Sequence, residues 1–206
     1  KSNNLAPDSL IIIQWKKLKN NKSPVASTIL VGPLLTTQWG QGCFYNESCP
    51  VDASGPCDHV LTGCVATSMA QIMKYWNFPI HGSDSHTYIH PTYGTLSANF
   101  AETAYQWASM PNTMTSSNSA AATLLFHCGV SVDMNYGPGV SLAFEPTSAL
   151  IDYFKYSEKA QFVNKNSYTE FEWENLIKTD LNSLRPVWYS GKDQNGQNGH
   201  AFVCDG

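Results

Sequence analysis

The clearest pattern of apolar and polar residues follows Cys64, in the stretch TGCVATSMAQIMKYW (residues 62–76). Its apolar residues recur at the spacing of one face of an α-helix. They are Val65, Met69, Ile72, Met73 and Trp76. We predict a helix that begins at Cys64, is capped by the side chain of Thr62 and ends before Pro79.

Three further segments have helical patterns. SSNSAAATLLFHCGV predicts a helix that begins at a Ser/Asn cap and ends near Cys128, because Gly129 follows. EPTSALIDYFKY predicts a short third helix, and YTEFEWENLIKTDLNSL predicts a fourth. Between them, GSDSHTYIHPTYGTL is rich in turn residues, and SVDMNYGPGVSLAF predicts an extended stretch followed by a Gly-Pro-Gly loop.

The pattern changes near the end of the sequence. PVWYSG and HAFVCDG are short and apolar, and the polar loop KDQNGQNG joins them, which predicts a β-hairpin. Helices followed by strands indicate an α+β fold. Because two strands alone are marginally stable, we expect strands beyond Gly206 and a domain that is incomplete at its C terminus.

Composition limits the possible functions. Of the 206 residues, 42% are hydrophobic and 14% are charged, which is typical of a globular domain. The net charge of −4 gives no reason to expect a nucleic acid as partner, and no apolar run reaches the ~20 residues that span a bilayer. Residues 1–25 contain the lysine-rich stretch QWKKLKNNKSP, so we interpret them as an extension of a domain at 26–206.

Six cysteines are present, and three of them lie close together in a stretch rich in Gly, Asn and Pro. These are Cys43, Cys49 and Cys57. A disulfide between two of them is expected and would favour an oxidising compartment, but the spacing does not indicate which two. The paired C-x₂-C spacing of a structural zinc site is missing, so we expect no metal site.

Cys64 has a second interpretation besides that of a small buried apolar side chain. Unpaired backbone N–H groups and the helix dipole stabilise an anion at a helix N terminus. A cysteine there, beside an imidazolium, has a lowered pKa, and its thiolate is a nucleophile. Cys64 is therefore a candidate catalytic nucleophile.

A nucleophile of this kind needs a base, and His200 differs from the other five histidines. It begins an apolar strand directly after Gly199, which leaves room for a substrate backbone to approach. His127, by contrast, follows an apolar run and is expected to be packed in the core. A cysteine early on a helix and a histidine on a much later strand is the arrangement of papain-like enzymes.

An oxyanion site would complete the machinery. The backbone N–H of Cys64 can supply one hydrogen bond, and a side-chain amide can supply another. The loop QWGQGCFYN offers Gln38 and Gln41, and the residues alone do not distinguish them.

Five segments together resemble the streptopain family of papain-like bacterial cysteine peptidases. They are QGCFYNESCP, TGCVATSMAQIMKYWNFPIHG, CGVSVDMNYGPG, PVWYSG and GHAFVCDG, and they occur in the order and rough spacing of that family. The resemblance implies a papain-like fold with a helical half and an antiparallel β-sheet half. It also implies a protein that is secreted or lies at the cell surface or in the periplasm.

The resemblance assigns a role to each candidate residue. It implies that Cys64 is the nucleophile, His200 the general base and Gln41 the oxyanion-hole amide, with no cofactor. Ser141 and Gly199 are expected to line the substrate cleft. Members of the family prefer a bulky apolar side chain two residues before the cut, so we expect that preference here.

Two departures from the family leave alternatives open. The family continues past the histidine strand to an Asn-Trp-Gly-Trp segment that orients the imidazole, and this sequence stops at Gly206. Family members are made as zymogens, so residues 1–25 resemble the tail of a propeptide, with NNKSPVAST as a cleavage region. An ordered N-terminal arm of the mature enzyme is the alternative.

The sequence therefore predicts a secreted cysteine endopeptidase whose partners are protein or peptide substrates and its own propeptide. A catalytically inactive relative that binds peptides or host proteins is a second hypothesis. An acyl-transfer enzyme with the same thiol–imidazole pair is a third, and a structural disulfide module is a fourth.

Overall fold

Four α-helices and two β-hairpins form the regular structure of the protein in the computed structural model, which describes residues 31–195 and 199–206. The helices are Cys64–Trp76 (α1), Ser119–Ser131 (α2), Thr147–Asp152 (α3) and Glu170–Asn182 (α4). The strands are Ser85–His90 (β1), Gly94–Asn99 (β2), Val187–Gly191 (β3) and His200–Cys204 (β4). Helices with antiparallel hairpins confirm the predicted α+β class. The predicted extension at 1–25, with its cleavage region, lies outside the described residues.

Helix α1 buries most of the face that the sequence predicted. Val65, Met69, Ile72 and Met73 are buried, but Trp76 is 45% exposed. The predicted cap by Thr62 is wrong, because Gly63 precedes the helix and no side chain caps it. The Thr62 hydroxyl instead lies in the core, 2.9 Å from the hydroxyl of Thr67. The helix ends before Pro79, as predicted.

Helix α2 is capped as predicted but is longer than predicted. The side-chain oxygen of Asn118 accepts a hydrogen bond from the backbone N–H of Ala121 at 3.0 Å. The predicted end at Gly129 is wrong, since the helix continues to Ser131. A Cβ at Gly129 would collide with the Tyr136 hydroxyl and lie 2.9 Å from the Tyr136 Cζ. The glycine at this position therefore allows close packing against Tyr136, and it does not end the helix.

The remaining two helices follow the prediction closely. Helix α3 is short, and helix α4 begins with a capping box. In that capping box, the Thr169 hydroxyl accepts from the backbone N–H of Glu172, and the Glu172 carboxylate accepts from the backbone N–H of Thr169. Each side chain satisfies a backbone donor that the helix leaves unpaired.

Both hairpins are antiparallel, but the sequence predicted only one. Strands β3 and β4 pair from Val187↔Cys204 to Gly191↔His200, which confirms the prediction. Strands β1 and β2 pair from Ser85↔Asn99 to His90↔Gly94, in a segment that we interpreted as turns. Most of their side chains are exposed or half-buried, so the alternation of apolar and polar residues that marks a strand is weak there.

Helix α1 lies at the centre of the packing, because it contacts both α2 and β4. The largest fully buried side chains around these elements are aromatic, aliphatic or thioether: Phe100, Phe154, Met69, Met73, Leu124, Leu125 and Met134. Close-packed interiors hold their elements in one arrangement. The packing therefore fixes the position of β4 relative to α1.

One disulfide joins two of the three clustered cysteines, as predicted. It links Cys43 to Cys57, with their Cα atoms 5.3 Å apart, and leaves Cys49 buried and free. The side-chain amide of Asn46 supports the same loop, since it donates to the carbonyl oxygen of Pro56 at 2.8 Å. Among the described residues, no helix combines the length and apolar character needed to cross a membrane.

We predict that Gly129→Ala destabilises the protein by about 1–3 kcal/mol, the usual cost of overpacking a core. In an open helix the same change stabilises by about 1 kcal/mol. The added methyl group would meet the hydroxyl of Tyr136, so the cost should be smaller when Gly129→Ala is made in a Tyr136→Phe background. Urea unfolding of the wild-type protein, Gly129→Ala, Tyr136→Phe and the double variant measures this, and a stabilising Gly129→Ala would contradict the close contact.

Candidate active site

Gly63 sets the conformation in which Cys64 begins helix α1. Its φ is 88°, a backbone conformation that side chains with a Cβ rarely adopt. A Cβ at this position would also lie 2.7 Å from the Met134 sulfur and 3.2 Å from the Ser141 Cβ. The chain therefore turns tightly into the helix, and Cys64 is its first residue.

The Cys64 sulfur lies at the junction of α1 and β4, and it is partly buried there. The His200 imidazole and the backbone N–H of Ala201 lie close enough to the sulfur to lower its pKa as hydrogen-bond donors. The backbone N–H of Val65, at the start of the helix, is a third donor. The structure thus brings together two residues that are far apart in the sequence, and their roles as nucleophile and base stay a prediction.

The electrostatics of this pair favour the charged forms of both groups. Burial raises the pKa of the Cys64 thiol, but its hydrogen bonds to His200 and to the backbone, with the His200 charge, bring that pKa below its ordinary value. The hydrogen bond to Cys64 raises the pKa of His200, and the Cys64 charge adds to this effect against the opposing effect of burial. Opposite shifts of this kind stabilise a thiolate–imidazolium pair.

The three other free cysteines of the described residues and His127 show the reverse behaviour. Burial raises the pKa of Cys49 to about 12, and it raises the pKa values of Cys128 and Cys204 as well. Burial lowers the pKa of His127 to about 4, consistent with the packed position that we expected for this side chain. Cys64 is therefore the one free cysteine in the described part of the chain whose pKa is lowered.

The loop that precedes the disulfide lies beside the start of α1. The backbone carbonyl of Gln41 accepts a hydrogen bond from the backbone N–H of Thr62 at 3.1 Å, two residues before Cys64. Gln38 is exposed, and its backbone bonds instead to Asn112 and Tyr45. This arrangement favours Gln41 over Gln38 as a neighbour of Cys64, and its role in an oxyanion hole stays a prediction.

Ser141, which we expected to line the substrate cleft, is buried. It is 3% exposed, and its hydroxyl donates to the carbonyl oxygen of Leu61 at 2.7 Å and accepts from the backbone N–H of Gly137 at 3.1 Å. The hydroxyl thus joins the Gly-Pro-Gly loop to the segment that leads into Gly63. Any contribution of Ser141 to substrate binding would act through the position of this loop.

Gly199 is exposed and directly precedes His200. A Cβ built there would lie 3.7 Å from the Lys192 Cγ, an ordinary van der Waals contact. The role of Gly199 in substrate binding stays a prediction.

Sequence reasoning missed the donation from Ala201. It uses a backbone N–H, which every residue but proline possesses, so no residue pattern could have revealed it. Within residues 31–195 and 199–206, no group of three or more His, Cys, Asp or Glu side chains is arranged to hold a metal ion.

Comparison with known proteins gives this geometry a family context. The sequence profile of the Peptidase C10 family matches residues 39–206. Streptopain from Streptococcus pyogenes is 33% identical over 90% of this chain. The chain spans about half the length of that relative, 51%.

Two solved structures share the fold. Active wild-type interpain A cysteine protease from Prevotella intermedia matches with a TM-score of 0.76 at 35% identity, over 84% of this chain and 75% of that one. A prointerpain A fragment from the same organism matches with a TM-score of 0.77 at 31% identity, over 100% of this chain and 70% of that one. The papain-like fold implied by the sequence is thereby confirmed, and the chain belongs to the Peptidase C10 family.

Proposed function

We propose that the protein is a secreted cysteine endopeptidase that cleaves proteins through an acyl-enzyme on Cys64. The observation that supports this most strongly is the contact between the Cys64 sulfur and the His200 imidazole, with opposite pKa shifts in the two groups. Membership of a peptidase family is independent support.

The proposed reaction begins with attack of the Cys64 thiolate on a peptide carbonyl carbon. The carbonyl oxygen gains negative charge and accepts hydrogen bonds from the Cys64 backbone N–H and the Gln41 amide. The His200 imidazolium then gives its proton to the departing amine, and the acyl group stays on sulfur. His200, now neutral, takes a proton from water, and the water attacks the acyl group and frees the thiolate.

We propose that the loop around Ser141 forms the apolar wall of the substrate cleft. Three large apolar side chains on it are exposed: Val140 at 59%, Leu142 at 54% and Phe144 at 89%. Residues 135 and 142 exchange backbone hydrogen bonds of 2.8 and 3.1 Å, which hold this loop in an antiparallel bridge. Such a wall suits a bulky apolar side chain two residues before the cut, and Gly199, directly before His200, would line the cleft beside the imidazole.

We also propose that the protein is made as a zymogen and that residues 1–25 are the end of its propeptide. The likeness to prointerpain A covers the whole chain, while the likeness to active interpain A covers 84% of it. A chain that includes a segment removed on activation is expected to match a precursor over more of its length than it matches the active enzyme.

The alternative, a catalytically inactive relative that binds peptides, has less support. Such a protein has no need of a lowered thiol pKa, and burial without a donor would raise the pKa of Cys64 as it does for Cys128.

We predict that Cys64→Ala lowers the turnover of casein by roughly 10⁶-fold, the scale seen when a catalytic nucleophile is removed. Cys204→Ala is the matched control, since Cys204 is free and partly buried but has a raised pKa. Its turnover should equal that of the wild-type protein. Measurable cleavage by Cys64→Ala would refute the assignment of the nucleophile.

We predict that Cys64 reacts with iodoacetamide at a lower pH than an ordinary thiol does. The rate follows the thiolate, so it rises with pH through the lowered pKa of Cys64. In His200→Ala, the hydrogen bond and the charge are lost while burial remains, so the midpoint should move to higher pH. Mass spectrometry of each alkylated cysteine measures this, with Cys204 as the internal reference.

The same shifts predict the pH dependence of peptide cleavage. The value of kcat/KM should rise with pH as Cys64 ionises and fall as His200 loses its proton. Because the pKa of His200 is raised, the alkaline limb should lie above the ordinary histidine value. An unchanged alkylation midpoint in His200→Ala would contradict the ion pair.

We predict that Gln41→Ala lowers kcat by about 10²-fold, the usual effect of losing one oxyanion donor, with a smaller change in KM. The substitution keeps the backbone carbonyl that binds Thr62. Gln38→Ala is the matched control in the same loop and should leave kcat unchanged. A loss in Gln38→Ala instead would identify the other amide as the donor.

A further inference from the structure

A second contact joins helix α1 to the hairpin that contains His200. The indole N–H of Trp188, on β3, donates to the hydroxyl oxygen of Ser68 on α1 at 2.8 Å. The same hydroxyl oxygen lies 2.8 Å from the backbone carbonyl oxygen of Cys64 and 3.0 Å from that of Val65. A hydroxyl has one proton and two lone pairs, so it can accept from the indole and donate to a carbonyl together.

Ser68 connects this contact directly to the nucleophile. It lies one helical turn after Cys64, is 2% exposed, and its hydroxyl bonds to the backbone of Cys64. A serine inside a helix often bonds to the carbonyl four residues earlier. Here the same oxygen also accepts from a neighbouring element, so the first turn of α1 is bonded to strand β3.

Trp188 lies on strand β3, which pairs with the strand that contains His200. It lies opposite Val203 on β4, while Gly191 lies opposite His200 at the end of the same ladder. Trp188 packs against the core, and Ala201, whose N–H donates to the Cys64 sulfur, is 5% exposed. A two-stranded hairpin is marginally stable alone, so its contacts with α1 decide where His200 lies.

We propose that the Trp188–Ser68 hydrogen bond is a positioning contact that sets the distance between the Cys64 sulfur and the His200 imidazole. The proposal rests on the proposed function, in which these two groups form the catalytic pair. The indole N–H donates to the Ser68 hydroxyl, and that hydroxyl donates to a backbone carbonyl, so neither donor serves the Cys64 sulfur. Trp188 and Ser68 act through the relative placement of α1 and β4, because hydrogen bonds weaken steeply with distance and misalignment.

A purely structural role is the competing explanation, since buried tryptophan N–H groups usually find a partner. The chain offers a matched control for it. The indole N–H of Trp173, on α4, donates to the hydroxyl of Tyr189 on β3 at 2.9 Å. This bond also joins a helix to the hairpin through a tryptophan, but it does not involve α1.

The experiment compares Trp188→Phe, Ser68→Ala, their double variant and Trp173→Phe in the full chain. Phenylalanine keeps an aromatic ring and removes the N–H, and alanine removes only a hydroxyl. We expect both single variants to lower kcat about tenfold, the scale of one net hydrogen bond, with KM changed less. Both should also move the alkylation midpoint of Cys64 to higher pH.

The double variant tests whether the two residues act as a pair. Each single variant already breaks the hydrogen bond. The kcat of the double variant should therefore be only slightly lower than the kcat of either single variant. Trp173→Phe should lower the melting temperature while leaving the Cys64 midpoint and kcat unchanged. Losses that multiply in the double variant would overturn the proposal.

The experiment distinguishes a failure of the positioning proposal from a failure of the proposed catalytic pair. If Trp188→Phe and Ser68→Ala lower the melting temperature but leave the Cys64 midpoint and kcat unchanged, their role is structural and the positioning proposal is wrong. If His200→Ala also leaves the midpoint unchanged, the catalytic pair itself is wrong. A midpoint that moves in His200→Ala, Trp188→Phe and Ser68→Ala but not in Trp173→Phe supports both proposals.

Discussion

The hydrogen bond between the Cys64 sulfur and the His200 imidazole joins the first turn of α1 to the start of β4. Burial alone would raise the pKa of this thiol, as it does for Cys128 in the core. Donors must therefore converge on the sulfur from both elements, and they do so from His200, Ala201 and the helix start. The packing of α1 against β4 is the condition for this convergence.

The sequence predicted the helices well where an apolar spacing or a capping pattern marks them, as in α1 and α4. The helical spacing around Met69 and Met73 is visible because large apolar side chains recur along α1, although smaller residues between them are buried as well. Contacts between distant segments were not visible. Gly129 looks like a helix stop in sequence, but it lies inside α2 because Tyr136 packs against it. Thr62 looks like a cap, but the φ of 88° at Gly63 gives the chain a different entry into the helix.

The candidate site, too, was predictable only where residue type or local sequence pattern marks a residue. Cysteine and histidine are residue types that commonly serve as nucleophile and base. The sequence pattern around Cys64 predicts a helix, and the pattern around His200 predicts a strand. The Ala201 N–H and the Trp188–Ser68 hydrogen bond have no such signature, because they depend on how the hairpin lies against α1. Family resemblance chose Gln41 over Gln38, and the backbone bond from Thr62 places Gln41 beside the segment that leads into Cys64, while the role of its amide stays a prediction.

The most direct measurement of the central claim is an NMR titration of the His200 ring, in protein with isotope-labelled histidine, before and after alkylation of Cys64. Alkylation removes the sulfur's charge and its capacity to accept the imidazole proton. The account predicts that the pKa of His200 lies above the ordinary histidine value at first and falls on alkylation. The same pKa before and after alkylation would contradict it.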